Sequence, residues 1–194
     1  MLLVFATQNA HKVQEVASLL PAQYRIASPS EFGWKGDIPE DHDTIEGNSA
    51  QKAQVIYAAL HRPVFSDDSG LEVLALGGAP GVYSARYAGE HCSFDDNVNK
   101  LLKALEGVTD RRACFRTVVS LILDGNVHQF EGRVDGEILT ERHGLEGFGY
   151  DPIFRPKGQQ LSFAEMPLAK KNEMSHRARA IASMLAYLKE NECV

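Results

Sequence analysis

Apolar residues in this chain gather into short unbroken runs and into stripes of helical spacing, and the two alternate from the first residues onward. Leu2-Leu3-Val4-Phe5-Ala6 has the length of a buried strand. The polar turn Thr7-Gln8-Asn9-Ala10-His11-Lys12 follows, and then Val13, Val16, Ala17 and Leu20 mark one face of a helix. Tyr24-Arg25-Ile26-Ala27 predicts a second strand, residues 28–43 a polar loop carrying Pro and Gly, and residues 48–61 a second helix. The spacing of Val98, Leu101, Leu102 and Leu105 predicts a helix from Asp95 to Leu105, with Gly107 just past its end. Residues 113–123 and 127–139 read as strands on either side of Asp124-Gly125-Asn126, a hairpin turn signal. Ala178, Ile181, Ala182, Leu185 and Leu188 share one face of a last helix, for which Ser175 stands as the N-cap. The pattern is that of an α/β chain with long antiparallel stretches. No repeat, linker or low-complexity tract breaks it, so residues 1–194 are expected to form one domain.

Four polar segments stand where chemistry is expected. An apolar run from Val64 discharges into Asp67-Asp68-Ser69-Gly70-Leu71, and the glycine-rich stretch Leu76-Gly77-Gly78-Ala79-Pro80-Gly81-Val82-Tyr83-Ser84-Ala85-Arg86-Tyr87 follows. Successive side chains of an extended segment point to opposite faces, so one aspartate is expected to face a site and the other to brace the backbone. A strand end with solvated acids is the plainer reading of the same string. The turn Thr7–Lys12 offers backbone N–H groups, the positive end of a helix dipole and a lysine, all suited to phosphate oxygens. It has no glycine and is not a Walker loop; taken alone, an Asn-capped helix with an exposed lysine accounts for it more simply. Gly147-Phe148-Gly149-Tyr150-Asp151-Pro152 sets two aromatics and an acid between flexible positions, a loop able to sandwich a planar base. Lys171-Asn172-Glu173-Met174-Ser175-His176-Arg177 leads into the last helix and puts two cations in its first turn, against the helix dipole. Binding an anionic or oxo-bearing ligand explains that placement; a solvated basic turn is the alternative.

Composition narrows the classes. With 194 residues, 44% hydrophobic and 24% charged, the chain is long enough for one well-buried core. A net charge of -6 argues against a nucleic-acid-binding face, which is normally basic. No charged leader followed by an apolar run opens the chain, and no apolar stretch approaches the roughly 18 residues needed to cross a membrane. A cytoplasmic protein with neither nucleic-acid nor membrane partner is therefore expected. Cys92, Cys114 and Cys193 lack paired spacing, as reduced thiols do, and suggest neither a disulfide framework nor a zinc site. Among the histidines only His176 lies within a motif.

Taken in order, Ala6-Thr7-Gln8-Asn9 with Lys12 and Glu15, the Asp67–Leu71 string, the stretch from Leu76 to Tyr87, Gly147–Pro152 and Ser175-His176-Arg177 resemble the inosine/xanthosine triphosphate pyrophosphatase family. These enzymes hydrolyse ITP, dITP and XTP to the monophosphate and pyrophosphate. The resemblance runs from Leu3 to Leu188. It implies a single α/β domain with a long twisted mixed β-sheet flanked by helices, a nucleotide cleft between two lobes, a Mg²⁺ cofactor and a homodimer. It also implies a triphosphate grip from Thr7, Gln8, Asn9, Ala10, His11 and Lys12, with Asp68 as catalytic carboxylate and metal ligand. Ser69 would contact substrate beside it, and Glu40 would be a second metal-binding acid. Phe148, Gly149, Tyr150 and Asp151 would hold the base and sugar, while Lys171, His176 and Arg177 would complete the pocket. Two positions depart from the family's pattern. His11 precedes Lys12 where a small residue or glycine is often found, and Gly47, in Thr44-Ile45-Glu46-Gly47-Asn48-Ser49, stands where many members have a second glutamate.

Mg²⁺ prefers oxygen ligands and is commonly held by one or two carboxylates plus substrate phosphates, a set that Glu40, Asp68 and a bound triphosphate supply. Lys12 and the turn would stabilise charge on the leaving pyrophosphate. Asp68 is either the group that orients or deprotonates the attacking water or a metal ligand alone. Hypoxanthine and xanthine present an acceptor at O6 and a donor at N1 where adenine reverses both, and a pocket matched to the oxo form discriminates by roughly 10⁴-fold or more. Lys171, His176, Arg177 and backbone groups near Phe148 and Gly149 are expected to read that oxygen. A non-catalytic nucleotide sensor would need no metal-holding pair, and a pyrophosphatase for pyrimidine or methylated nucleotides would change the base-reading loop. The carboxylates favour an enzyme, and the late motifs favour deaminated purines.

Overall fold

The opening apolar run is strand β1, Leu2–Phe5, and the stripe after it is helix α1, Ala10–Leu19, in a computed structural model that describes residues 1–191; Cys193 lies outside them. Strands β2, Arg25–Ala27, and β3, Val64–Val73, both pair with β1 in parallel. The loop between β2 and the next helix holds a 3₁₀ turn, Pro29–Phe32. Helix α2, Ile45–Leu60, starts ahead of the predicted residue 48, because the Thr44 hydroxyl accepts from Gly47 N and caps the helix before its apolar face begins. Strand β3 runs straight through Asp67-Asp68-Ser69-Gly70, its far end fastened by the buried Leu71 and Val73 and by the short antiparallel strand β4, Pro80–Gly81.

Helix α3, Phe94–Ala104, opens with a capping box between Ser93 and Asp96. Strands β5, Arg112–Leu123, and β6, Asn126–Ile138, are joined by Asp124-Gly125, both at positive φ (49° and 81°), the geometry that suits a two-residue hairpin. Strand β7, Phe154–Pro156, pairs antiparallel with β6, and helices α4, Leu168–Asn172, and α5, His176–Asn191, complete the described chain. Neither β7 nor α4 is long enough to leave a periodic signal. The strands hydrogen-bond in the order β2-β1-β3-β5-β6-β7, with β4 on β3, the mixed sheet of the α/β fold that the resemblance implies.

The chain packs as two compact units. One comprises Met1–Asp68, Thr117–Gly132 and the segment from Arg177; the other comprises Ser69–Arg116 and Arg133–His176. In the first, Leu3, Phe5, Phe65, Val119 and Leu121 pack with Val16 of α1 and Ile181, Met184 and Leu188 of α5. Their sequence neighbours Val4, Ala6, Val64 and Ile122 pack with Ala53 and Ile56 of α2. Alternate residues serve opposite faces, which is why these strands read as unbroken apolar runs. The second unit has its own core, in which Leu71, Val73, Phe115, Val134 and Ile138 meet Leu101 of α3, Tyr150, Phe154 and Phe163. Burial first, then the neighbouring Glu72, pushes the Cys114 thiol up to about 11, and it donates to Glu72 Oε2 at 3.4 Å.

Candidate active site

In the first unit the β1–α1 turn is built around Asn9. Its Oδ1 accepts from His11 N at 3.0 Å and Lys12 N at 3.3 Å, while Thr7 Oγ1 accepts from Asn9 N at 3.2 Å. Two of the N–H groups expected to meet phosphate are thus taken up by the cap, which corrects the expectation of an open cradle. The turn's remaining cation is Lys12, whose ammonium lies 3.1 Å from Asp67 Oδ1 and 3.3 Å from Asp67 O. Burial lowers its pKa despite Asp67. Gln8 Nε2 donates to Gly36 O at 3.3 Å, fastening the turn to the loop that carries Glu40, and both Ala10 and His11 sit on its exposed side.

Asp67 and Asp68 are both buried and have different partners. Arg177 Nε is 2.9 Å from Asp67 Oδ2, and its Nη1 donates to Glu15 of α1. Burial by itself would raise the pKa of Asp67, but Lys12, Arg177 and Lys52 outweigh it and hold the carboxyl well below the usual range. Asp68 has the opposite sign: burial, with Glu40 and Asp67 adding to it, raises its pKa although Lys52 and Lys12 oppose. Lys52 Nζ lies 3.4 Å from Asp68 Oδ1 and 2.5 Å from Glu40 Oε1. Asp68 Oδ2 is buried and has no hydrogen-bond partner. The pleat of β3 therefore makes Asp67 a brace and leaves Asp68 with an acceptor to offer.

Two of these residues change the picture drawn from the sequence. Lys52, buried on α2, holds both carboxylates and carries no motif of its own; only its position on the helix that follows the Glu40 loop could have drawn attention to it. Arg177 is expected in the base pocket, yet its guanidinium is 2% exposed and committed through Nε and Nη1 to Asp67 and Glu15. Its place at the start of α5 is balanced by those two acids. It acts on the carboxylates, as a brace.

The second unit folds the Gly147–Asp151 loop about Asp151. Lys171 Nζ of α4 is 2.6 Å from Asp151 Oδ2, which also accepts from Phe148 N at 2.9 Å. Gly147, at φ 76°, leaves no room for a side chain, since a Cβ there would stand 2.2 Å from the same oxygen. Tyr150 turns into the core and its hydroxyl donates to Ser84 O at 2.9 Å; burial pushes the phenol pKa up. Tyr150 and Asp151 thus hold the loop from within, a correction to the expectation that all of Phe148–Asp151 line the base. Phe148 and Gly149 stay partly exposed, as does Ser69. The Lys171 ammonium lies 5.3 Å from the Phe148 ring centre and 5.4 Å from that of Phe163. His176 stacks on Phe115, with centroids 4.6 Å apart and planes 9° from parallel.

Among the described residues no group of three or more His, Cys, Asp and Glu side chains is placed to hold a metal ion. A sequence profile of the Ham1 family matches residues 3–187. The chain is 50% identical over 187 residues to the dITP/XTP pyrophosphatase of Porphyromonas gingivalis, with 96% of each chain covered. It is 48% identical over 188 residues to the dITP/XTP pyrophosphatase of Flavobacterium johnsoniae, covering 97% of this chain and 98% of that one. Its fold matches the Ham1 protein of Staphylococcus aureus with a TM-score of 0.89 at 40% identity, over 98% of this chain and 100% of the other. With its ordered motifs, its fold and nearly its whole length matched, the chain belongs to the Ham1 family.

Proposed function

We propose that this protein hydrolyses deaminated purine nucleoside triphosphates, ITP, dITP and XTP, to the monophosphate and pyrophosphate, and so removes them from the nucleotide pool. The observation that carries this reading is Asp68, a buried carboxylate with one oxygen toward Lys52 and the other without a hydrogen-bond partner. The names of the two bacterial relatives support the same activity.

The donor set suits Mg²⁺: two carboxylates, oxygen atoms only, and one buried oxygen in need of a partner, with the remaining ligands left to water and phosphate. Glu40 and Asp68 would hold the ion, which when bound neutralises phosphate charge. Lys52 keeps the two carboxylates in place and adds positive charge beside them. Lys12, steadied by Asp67, stabilises the charge that develops on the leaving pyrophosphate. The raised pKa of Asp68 makes its carboxylate a better proton acceptor for the attacking water, whose oxygen bonds to the α-phosphorus as the bridging oxygen departs with pyrophosphate.

In the second unit Phe148 offers a face for the purine, and Lys171 and His176 offer donors for its 6-oxo group. Thr7, Gln8 and Asn9 shape the turn that presents Lys12, and Ser69 continues the strand beyond Asp68. A homodimer belongs to the same proposal and rests on the family resemblance alone; a cytoplasmic location belongs to it too, as expected from the sequence. No helix of the described residues is long and apolar enough to cross a membrane. The test is pyrophosphate release from ITP, XTP, dITP, ATP, GTP and dUTP with and without Mg²⁺. Turnover of the first three that requires Mg²⁺ and exceeds that of ATP by about 10⁴-fold is expected. Comparable turnover of ATP or dUTP, or release of phosphate alone, overturns the reading.

A further inference from the structure

Gly47 lies in the first turn of α2, where glycine weakens a helix relative to alanine and where no left-handed φ calls for it. The reason for its presence is the loop it meets. A Cβ at this position would stand 2.7 Å from His42 Cβ, 2.8 Å from His42 Cγ and 2.9 Å from Thr44 Oγ1. The next residues of the helix hold the same stretch of loop by hydrogen bonds. Asn48 Oδ1 accepts from His42 N at 2.8 Å; Gln51 Oε1 accepts from Asp41 N at 2.9 Å, and Gln51 Nε2 donates to Asp41 Oδ2 at 2.8 Å. Asn48 is fully buried and its Nδ2 lacks a hydrogen-bond partner, a cost that an apolar residue would avoid. What the amide contributes in return is the bond to His42. Lys52, next along the helix, reaches Glu40 itself, and Ile38 packs against the cluster that contains Ala53 and Ile56 of α2.

We propose that Gly47, Asn48 and Gln51 form a seat on α2 that sets the position of Glu40 against Asp68. The missing side chain at Gly47 makes room for the side chains of His42 and Thr44 against the helix, and Asn48 and Gln51 hold the backbone N–H groups of His42 and Asp41. The three are positioning residues that act through Glu40 and touch no substrate. The departure from the family's second glutamate is then a substitution of one means of placing Glu40 by another. This rests on the reading of Glu40 and Asp68 as the metal-holding pair. Polar groups that orient metal ligands typically change metal affinity by about 10- to 100-fold when removed, and that is the scale expected here.

The test compares Gly47→Ala, Gln51→Ala and Glu40→Gln, and the first two combined with the third. Mn²⁺ binding to the nucleotide-free protein is followed by electron paramagnetic resonance, alongside thermal melting and amide exchange of residues 38–43. Gly47→Ala is expected to lower the melting temperature, against the helix preference for alanine, and Gln51→Ala, partly exposed, to leave it nearly unchanged. Both are expected to weaken Mn²⁺ binding by about tenfold and to speed exchange of the loop. In the Glu40→Gln background neither should weaken Mn²⁺ further, because the seat acts through that carboxylate. The seat is refuted by Glu40→Gln weakening Mn²⁺ while Gly47→Ala and Gln51→Ala leave it unchanged, or by equal losses with and without Glu40. Unchanged Mn²⁺ binding in Glu40→Gln alone overturns instead the assignment of Glu40, and the proposal with it.

Discussion

Two adjacent aspartates in one strand have opposite protonation behaviour, and the difference is testable. Asp68 has a raised pKa in the folded protein, so folding favours its protonated form; that stability is fully present below the ordinary carboxylate value and is lost as pH rises through the folded one. Asp68→Asn should therefore leave the melting temperature of the metal-free protein at neutral pH unchanged or higher, while turnover of ITP falls by about 10²-fold or more. Retention of a tenth of the activity contradicts a direct role. Asp67 has a depressed pKa, so its contribution is present above the ordinary carboxylate value and is lost as pH falls toward the folded one. Asp67→Asn should cost about 3 kcal/mol in denaturant unfolding at neutral pH, the scale for breaking a buried ion pair, and that cost should shrink in acid. Arg177→Ala leaves Asp67 and Glu15 without their shared guanidinium. It should destabilise similarly and reduce kcat/KM for ITP and ATP in parallel; a loss confined to ITP would restore it to the base pocket.

Elements are placed by their ends as much as by their faces. Helix α1 begins where Asn9 takes up two backbone donors, and Asn9→Ala should lower stability by about 1 kcal/mol in chemical denaturation. The same turn delivers Lys12 to Asp67, the placement from which the proposed reading takes it to the phosphates. Lys12→Ala should raise KM for ITP, with kcat also reduced if the ammonium meets the leaving pyrophosphate. An unchanged KM would return the turn to a capped surface helix. Helix α5 begins with His176 and Arg177, and the acids of α1 and β3 supply the compensation for the guanidinium that the dipole disfavours there. Helix α2 is the element whose role was hidden: its cap at Thr44, its glycine, two amides and a lysine all serve the loop before it.

At the scale of the whole molecule, the packing divides two of the sequence motifs. Asp68 belongs to one compact unit and Ser69 to the other, and His176 and Arg177 divide in the same way. Each unit carries its own core and its own polar centre, the carboxylate and lysine cluster in the first and the Asp151–Lys171 pair under Phe148 in the second. Sedimentation at micromolar concentration should give twice the monomer mass; a monomer alone overturns the homodimer.

The sequence by itself determined the order of strands and helices from β1 to β3 and from α3 to β6, because those elements are long enough for period and turn chemistry to speak locally: Asn9 caps, Asp124-Gly125 turns, and Leu3 and Val4 alternate between two covered faces. It also singled out the acids and the aromatic loop as candidates, since their residue types are legible wherever they fall. Only the tertiary structure decided what each polar side chain does. Tyr150 and Arg177 look available in the sequence and are buried against Ser84 O and against Asp67 with Glu15, while Lys52, silent in the sequence, joins Glu40 to Asp68. These pairings link residues far apart along the chain, and the sign of a carboxylate's pKa shift depends on which cations packing brings beside it, a quantity that no local pattern encodes.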